Sequence, residues 1–364
     1  KRLDPDIAVA GIGGDELAAA GMTLLHHCRD LAVLGLAEVV AKLGHVFRAY
    51  RTLRRELAAQ PALLMLVDYP EFNLRIAACS RRHHVPVLYY ISPQLWAWRR
   101  GRARRIARLV DRMAVIFPFE VQFYETYGLD ARFVGHPLLD RHIERLPRQD
   151  ALRLFGLEDR SPIIGLLPGS RIAEVERLFA PMLGAAARLR ERYPCAQFIV
   201  PRAQGIPRSM LAAKAAAAGV PVQITEGDFY RAVGVCDLAL VASGTATLQT
   251  ALLHKPMVIL YRVSALTYWA GRLLIRIPWI GLANIVAGKQ IVPELIQGDV
   301  TPERIAAEAC RMLDDPERMR TVATELGAVT ARLGEPGAAQ RVAQMAYDMI
   351  TNAGSGKAVL RPKP

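Results

Sequence analysis

The sequence predicts two Rossmann-like, doubly wound α/β domains facing a central cleft, and three observations carry that expectation. Short apolar runs bounded by turn residues alternate with longer segments of helical period, the pattern of βαβ units and parallel sheets. The rhythm runs twice, restarting after a stretch rich in Pro, Arg and Asp at residues 137–150. The length, 364 residues, exceeds what one hydrophobic core usually organises.

In the first half the expected strands are 7–11, 63–68, 85–91, 113–116 and 132–134, with helical segments such as 73–82 between them. In the second half they are 163–167, 197–200, 222–224, 238–241 and 257–260, separated by amphipathic helices such as 174–193. Helical segments at 302–313, 316–332 and 337–350 close the chain. The domains are therefore expected at 1–145 and 146–333, followed by a C-terminal helix at 334–350 that returns to the first domain or packs on a partner subunit. The tail 351–364 is small, polar and Pro/Lys-bearing and cannot offset its ordering entropy, so it is expected to be disordered. In such folds ligands bind beyond the carboxyl ends of the strands, which makes the cleft the expected site.

The apolar fraction of 52% suits a globular chain, and a formal net charge of +13 calls for an anionic partner. Nucleic acid, phosphorylated metabolites and acidic lipid all satisfy that demand. The five cysteines stand apart, without a CxxC pair or zinc-site spacing, and read as reduced thiols of a cytoplasmic chain. There is no run of 18 uncharged apolar residues, so the chain is expected to lie on a bilayer and not to span it. It begins at Lys1 without a Met and leads almost at once into an apolar run, as a chain cut away at its start would.

Two turns look built for phosphate. Leu166-Leu-Pro-Gly-Ser-Arg171, with Glu174 following, lies where a strand gives way to a helix. There Gly169 allows close backbone approach, Ser170 can cap the helix, and the free amides with Arg171 suit a phosphate. A Pro-Gly turn with a solvated Arg is the plainer reading. Ala242-Ser-Gly-Thr-Ala-Thr-Leu-Gln249 repeats the arrangement after a second strand. Ser243, Gly244 and Thr245 offer donors to a diphosphate and Gln249 reaches for ribose hydroxyls, unless the turn is an ordinary N-cap. A departing nucleoside diphosphate needs its charge stabilised. The one Asp-x-Asp, Asp4-Pro-Asp6, precedes a strand, so helix ends and Arg171 are expected to serve without a metal or other cofactor.

In the first domain Asp68 follows a buried-looking strand in Leu66-Val-Asp-Tyr-Pro-Glu-Phe-Asn73. An inverting transfer to a hydroxyl needs one base, and Asp68 is placed for it, with Glu71 as fallback. Alternatively, Asp68 and Asn73 cap the next helix. Residues 92–108 carry Trp96, Trp98 and six arginines, with Arg99, Arg102 and Arg105 recurring every third residue. This stripe suits a phosphate-bearing acceptor or anionic lipid, with the tryptophans at the interface. Nucleic-acid binding and a solvated basic helix are the rivals. Apolar stretches at 31–47, running into Arg48, Arg51, Arg54 and Arg55, and at 268–279 favour a membrane surface over nucleic acid, with burial in the core as the plainer reading of their apolar members. His136 at the domain junction is a turn histidine or a cleft group, and Asn284 a donor to a uracil or sugar edge.

Together these segments resemble the lipid-A-disaccharide synthase family. The carriers are Asp68-Tyr-Pro-Glu-Phe-Asn, Ser92-Pro-Gln-Leu-Trp-Ala-Trp-Arg, Phe117-Pro-Phe-Glu, Gly135-His-Pro, Leu167-Pro-Gly-Ser-Arg, Ser243-Gly-Thr-Ala-Thr-Leu and Asn284-Ile-Val-Ala-Gly-Lys. The resemblance implies a GT-B-type enzyme on the inner face of the inner membrane, joining UDP-diacylglucosamine and diacylglucosamine 1-phosphate through an inverted β-1,6 link. It implies Asp68 as the acid/base carboxylate, Arg171, Ser243, Gly244, Thr245 and Asn284 around UDP, and dimers that exchange C-terminal segments. Gln249 stands where the family usually has Glu, which weakens a charge-assisted bond to ribose. The family also begins with a strand and a Ser-Gly-Asp loop not found here, so the first sheet is expected to show an unpaired edge. Rival readings are a peptidoglycan lipid glycosyltransferase, a UDP-sugar epimerase, and a basic membrane or nucleic-acid module.

Overall fold

A computed structural model describes residues 2–30, 36–97, 100–144, 146–265, 268 and 277–354, with backbone only at 36–43, 100, 353 and 354. The chain divides into two compact units, Lys1–Asp140 with Pro336–Pro364, and Arg141–Glu335.

In the first unit, β3 (Leu64–Val67), β4 (Val87–Tyr90), β5 (Arg112–Val115) and β6 (Asp130–Phe133) form a parallel four-stranded sheet in that order. A separate parallel pair joins β1 (Ala10–Gly13) to β2 (Thr23–His27). The expected first strand at 7–11 is displaced to β1, and β2 falls where no strand was expected, because Thr-Leu-Leu-His-His offers only a short apolar signal. β3 is the outer strand of its sheet and leaves Met65 and Val67 43% and 47% exposed.

The helix Ala338–Gly354 belongs to this unit. Its apolar face, Val342, Met345 and Met349, packs on Leu88, Ala114 and Val134. Asp140 fixes where it starts, accepting from the amides of Gly337 (2.6 Å), Ala338 (3.1 Å) and Ala339 (2.9 Å). The expectation of disorder from residue 351 is corrected at its near end: the helix runs on through Gly354, with Thr351 Oγ1 donating back to Tyr347 O. Residues 355–364 lie outside the described residues.

Burial raises the Asp140 carboxyl, but the three amides and Arg341 lower it further, and it rests below the usual carboxylate range. Its contribution is therefore present above that range and fades as pH falls through it. Asp140→Ala is expected to lower stability to urea by about 1 kcal/mol at pH 7, a difference from wild type that shrinks toward pH 3.

In the second unit β7 (Ile163–Leu167), β8 (Gln197–Arg202), β9 (Gln223–Glu226), β10 (Leu238–Ala242), β11 (Met257–Tyr261) and β12 (Glu294–Ile296) form one parallel sheet in the order β12-β11-β10-β7-β8-β9. Every residue of β7 and β10 is buried, as strands covered on both faces require. From β7 the chain winds out through β8 and β9, then returns to the other side at β10. The strand order thus reverses between β7 and β10, where doubly wound sheets open a ligand crevice. Among the described residues no helix is long and apolar enough to cross a membrane.

Candidate active site

In the first unit the chain leaves β3 through two consecutive residues in the left-handed region, Asp68 (φ 47°) and Tyr69 (φ 43°). Such conformations persist only where surroundings enforce them. Here the Asp68 amide donates to Tyr90 O (3.0 Å). Its carbonyl oxygen accepts from both Tyr89 Oη and Asn73 Nδ2, each at 2.6 Å, which uses both lone pairs. Tyr89 is fully buried, and burial foremost, then the charge of Asp68, pushes its phenol up, so it remains a donor.

The Asp68 carboxylate itself is exposed, with no hydrogen-bond or ion-pair partner among the described residues. It does not cap the following helix, Pro70–Arg82, whose N-cap is Tyr69 without a side-chain bond. The capping alternative is thereby removed for Asp68, while Asn73 reaches back to Val67 O (3.1 Å) and Asp68 O. Glu71 is paired with Arg102 at 2.6 Å.

The basic stripe is only partly as expected. Trp96 is corrected: it is 6% exposed, its Nε1 donates to buried Glu120 (3.0 Å), and its ring meets Phe119 edge-on at 4.9 Å, so it faces inward and not a membrane. An indole is apolar with one donor, and a buried carboxylate satisfies it as well as an interface would. Arg105 is exposed and Arg102 half-buried against Glu71, while Trp98 and Arg99 lie outside the described residues. So do residues 269–276 of the second apolar stretch. His136 is buried, its Nδ1 accepts from the Leu138 amide (3.2 Å), and burial pushes it down to about 4, which keeps the ring neutral.

In the second unit both phosphate-type turns leave neighbouring strands, with Leu167 of β7 opposite Val241 of β10. Gly169 has φ +115°, and a Cβ there would stand 2.4 Å from Glu174 Oε2, so only glycine fits. Ser170 does not cap the helix Ile172–Arg192. Instead Glu174 Oε2 accepts from the amides of Ser170 (3.0 Å) and Arg171 (3.3 Å), and its Oε1 from Arg171 Nη1 (2.7 Å). The carboxylate holds the donors that were expected to be free, while the Arg171 side chain stays 74% exposed.

After β10, Gly244 (φ +147°) and Thr245 are exposed at the start of the helix Thr245–Leu252. A Cβ on Gly244 would meet nothing within 4 Å, and only its φ calls for glycine. Ser243 Oγ donates to Ile280 O (3.2 Å), and Gln249 Nε2 to Tyr230 Oη (3.2 Å). Tyr261, ending β11, has its phenol raised by burial and, less, by the charge of Glu174, which brings a third strand end into electrostatic reach.

Asn284 is corrected outright. It is 0% exposed, and its amide is fully committed inside the fold. Nδ2 donates to Val292 O (2.9 Å) and Glu294 Oε1 (2.7 Å), and Oδ1 accepts from the amides of Ile291 (2.9 Å) and Val292 (3.1 Å). With both donors and both lone pairs used, nothing is left for a uracil or sugar edge. Sequence reading missed Glu294 and Tyr89, which hold this network and the Asp68 turn. Their strands looked merely apolar, and the partners are set by the fold. Among the described residues no group of three or more His, Cys, Asp or Glu is placed to hold a metal ion.

The family model described as Lipid-A-disaccharide synthetase matches residues 1–346. The lipid-A-disaccharide synthase of Geobacter sulfurreducens is 48% identical over 350 residues, covering 96% of this chain and 91% of that protein. Among solved structures, the UDP-GlcNAc 2-epimerase of Neisseria meningitidis bound to UDP-GlcNAc is similar with a TM-score of 0.59 at 12% identity, over 94% of this chain and 100% of that one. Acinetobacter baumannii MurG is similar with a TM-score of 0.55 at 14% identity, over 94% and 99%. At such identities the two structures speak to the fold, which is that of paired Rossmann-like domains of the GT-B type.

Proposed function

The chain belongs to the lipid-A-disaccharide synthase family and is a glycosyltransferase of lipid A disaccharide synthesis, and on that premise we propose which residues carry the transfer. The substrates are UDP-2,3-diacylglucosamine and 2,3-diacylglucosamine 1-phosphate. The first unit supplies the base: Asp68 takes the proton from the acceptor's 6-hydroxyl as that oxygen attacks the anomeric carbon and UDP leaves with inversion. The observation that carries this role is a free, exposed carboxylate on a backbone locked at its carbonyl by Tyr89 and Asn73.

The second unit receives UDP. Exposed Arg171 and the amide-rich turns after β7 and β10 stabilise the diphosphate's developing charge, without a metal. Arg171 exchanges its bond to Glu174 for the phosphates. On the first unit, Phe47 is 60% exposed with Arg51 over its ring, and Arg48, Arg54 and Arg55 are exposed on the same helix. Together they suit an anionic leaflet, at about 1 kcal/mol for each arginine near the surface.

Incubation with the two lipid substrates should yield the β-1,6 disaccharide 1-phosphate and UDP by mass spectrometry. Arg171→Ala is expected to raise the donor KM about tenfold or more with the acceptor KM unchanged. Donor consumption giving an epimerised sugar and no disaccharide would overturn the reading.

A further inference from the structure

Glu120 is a buried carboxylate that the transfer above does not use. It is 1% exposed, in the first turn of the helix Phe119–Glu125. Four donors converge on it: Ser92 Oγ (2.5 Å) and Trp96 Nε1 (3.0 Å) on Oε1, and the amides of Ile116 (3.3 Å) and Phe117 (3.1 Å) on Oε2. No Lys, Arg or His pairs with it among the described residues. Burial pushes its carboxyl up to about 6 in spite of those bonds. An isolated buried charge is a costly way to join two loops.

What it joins is specific. Ile116 and Phe117 follow β5, and Ser92 and Trp96 belong to the segment that follows β4. Tyr124 Oη adds a bond to Pro93 O (3.2 Å), and Trp96 lies edge-on to Phe117 and Phe119. The same segment runs on to Arg102, which is paired with Glu71 and stands at the N-cap of the helix Ala103–Leu109; that helix carries Arg105 and is anchored by buried Ala103 and Ile106.

We propose that Glu120 is a positioning residue for the acceptor: by holding Ser92 and Trp96 it sets where Arg102 and Arg105 stand, and through them the acceptor's phosphate. This rests on the reading of those arginines as acceptor contacts. A glutamine in its place can still accept from the amides of Ile116 and Phe117 and donate to Ser92 Oγ. Its amide nitrogen cannot accept from Trp96 Nε1, so Glu120→Gln frees Trp96 selectively. Trp96→Phe removes the same bond from the other side while keeping an aromatic ring.

Both variants, in the full chain, are expected to raise the acceptor KM about tenfold with the donor KM near wild type, and to lower the unfolding temperature by only a few degrees, since each strands one partner of a buried charged hydrogen bond. With an acceptor lacking the 1-phosphate, the penalty should vanish. Acceptor KM within twofold of wild type in both variants overturns the proposal, as does an equal rise with and without the phosphate. Arg102→Ala and Arg105→Ala separate the two levels. If they raise the acceptor KM and Glu120→Gln does not, only the positioning role fails. If they leave it unchanged, the acceptor reading beneath fails as well.

Discussion

Asp68→Asn is expected to lower kcat by about 10²- to 10⁴-fold, the usual contribution of a positioned general base, with both KM values and the unfolding temperature close to wild type. The fold makes this a clean substitution. Every bond that Asp68 makes in the turn runs through its main chain, to Tyr90 O, Tyr89 Oη and Asn73 Nδ2. Asn is also among the few residues that tolerate the left-handed region. Only the proton-accepting oxygen is lost. Glu71→Gln is the paired control: its carboxylate is committed to Arg102, so it should cost far less. Asp68→Asn retaining more than a tenth of wild-type kcat would remove Asp68 as the base, and a large loss confined to Glu71→Gln would transfer the role.

The sequence makes the strand ends and their chemistry visible because those signals are local. An apolar run followed by Gly-Ser-Arg or Ser-Gly-Thr states where a strand stops and donors begin, and both turns lie side by side at the reversal of strand order. The family is legible for the same reason, since its motifs are short and contiguous. What stays hidden is which way an amphipathic or amide side chain turns. Trp96 reads equally as an interface residue or as a donor to a buried carboxylate, and the acceptor that decides it, Glu120, is 24 residues away. Glu174 reads as part of a phosphate site, yet its own carboxylate occupies the amides it was expected to leave open. β12 escapes notice because three residues beginning with a glutamate carry no periodicity, although that glutamate organises the site's support.

Asn284→Ala is the substitution expected to cost most in stability. It strands the buried amides of Ile291 and Val292 and the carbonyl of Val292, each worth about 1 to 3 kcal/mol when unsatisfied. A net loss of about 4 kcal/mol would lower the unfolding temperature of this unit by about 10 °C. It also removes one partner of Glu294, whose carboxylate accepts from the amides of Ile280 (2.8 Å) and Gly281 (3.0 Å). Ile280 O in turn receives Ser243 Oγ. The turn after β10 is therefore tied to Asn284 through Glu294, and donor binding should weaken in step with the folded fraction.

Asn284→Asp distinguishes this support from direct contact. An aspartate keeps the acceptor for Ile291 and Val292 but faces Glu294 Oε1, which Nδ2 approaches to 2.7 Å in the wild type. Two carboxylates that close hold a proton between them which a lone carboxylate would release. A raised folded-state affinity for that proton stabilises at low pH and is lost as pH rises. The unfolding temperature of Asn284→Asp should therefore approach wild type as pH falls from 8 to 5, whereas that of Asn284→Ala keeps its deficit throughout. If instead Asn284→Ala unfolds at the wild-type temperature and loses UDP binding alone, then Asn284 meets the nucleotide directly and its internal bonds are incidental.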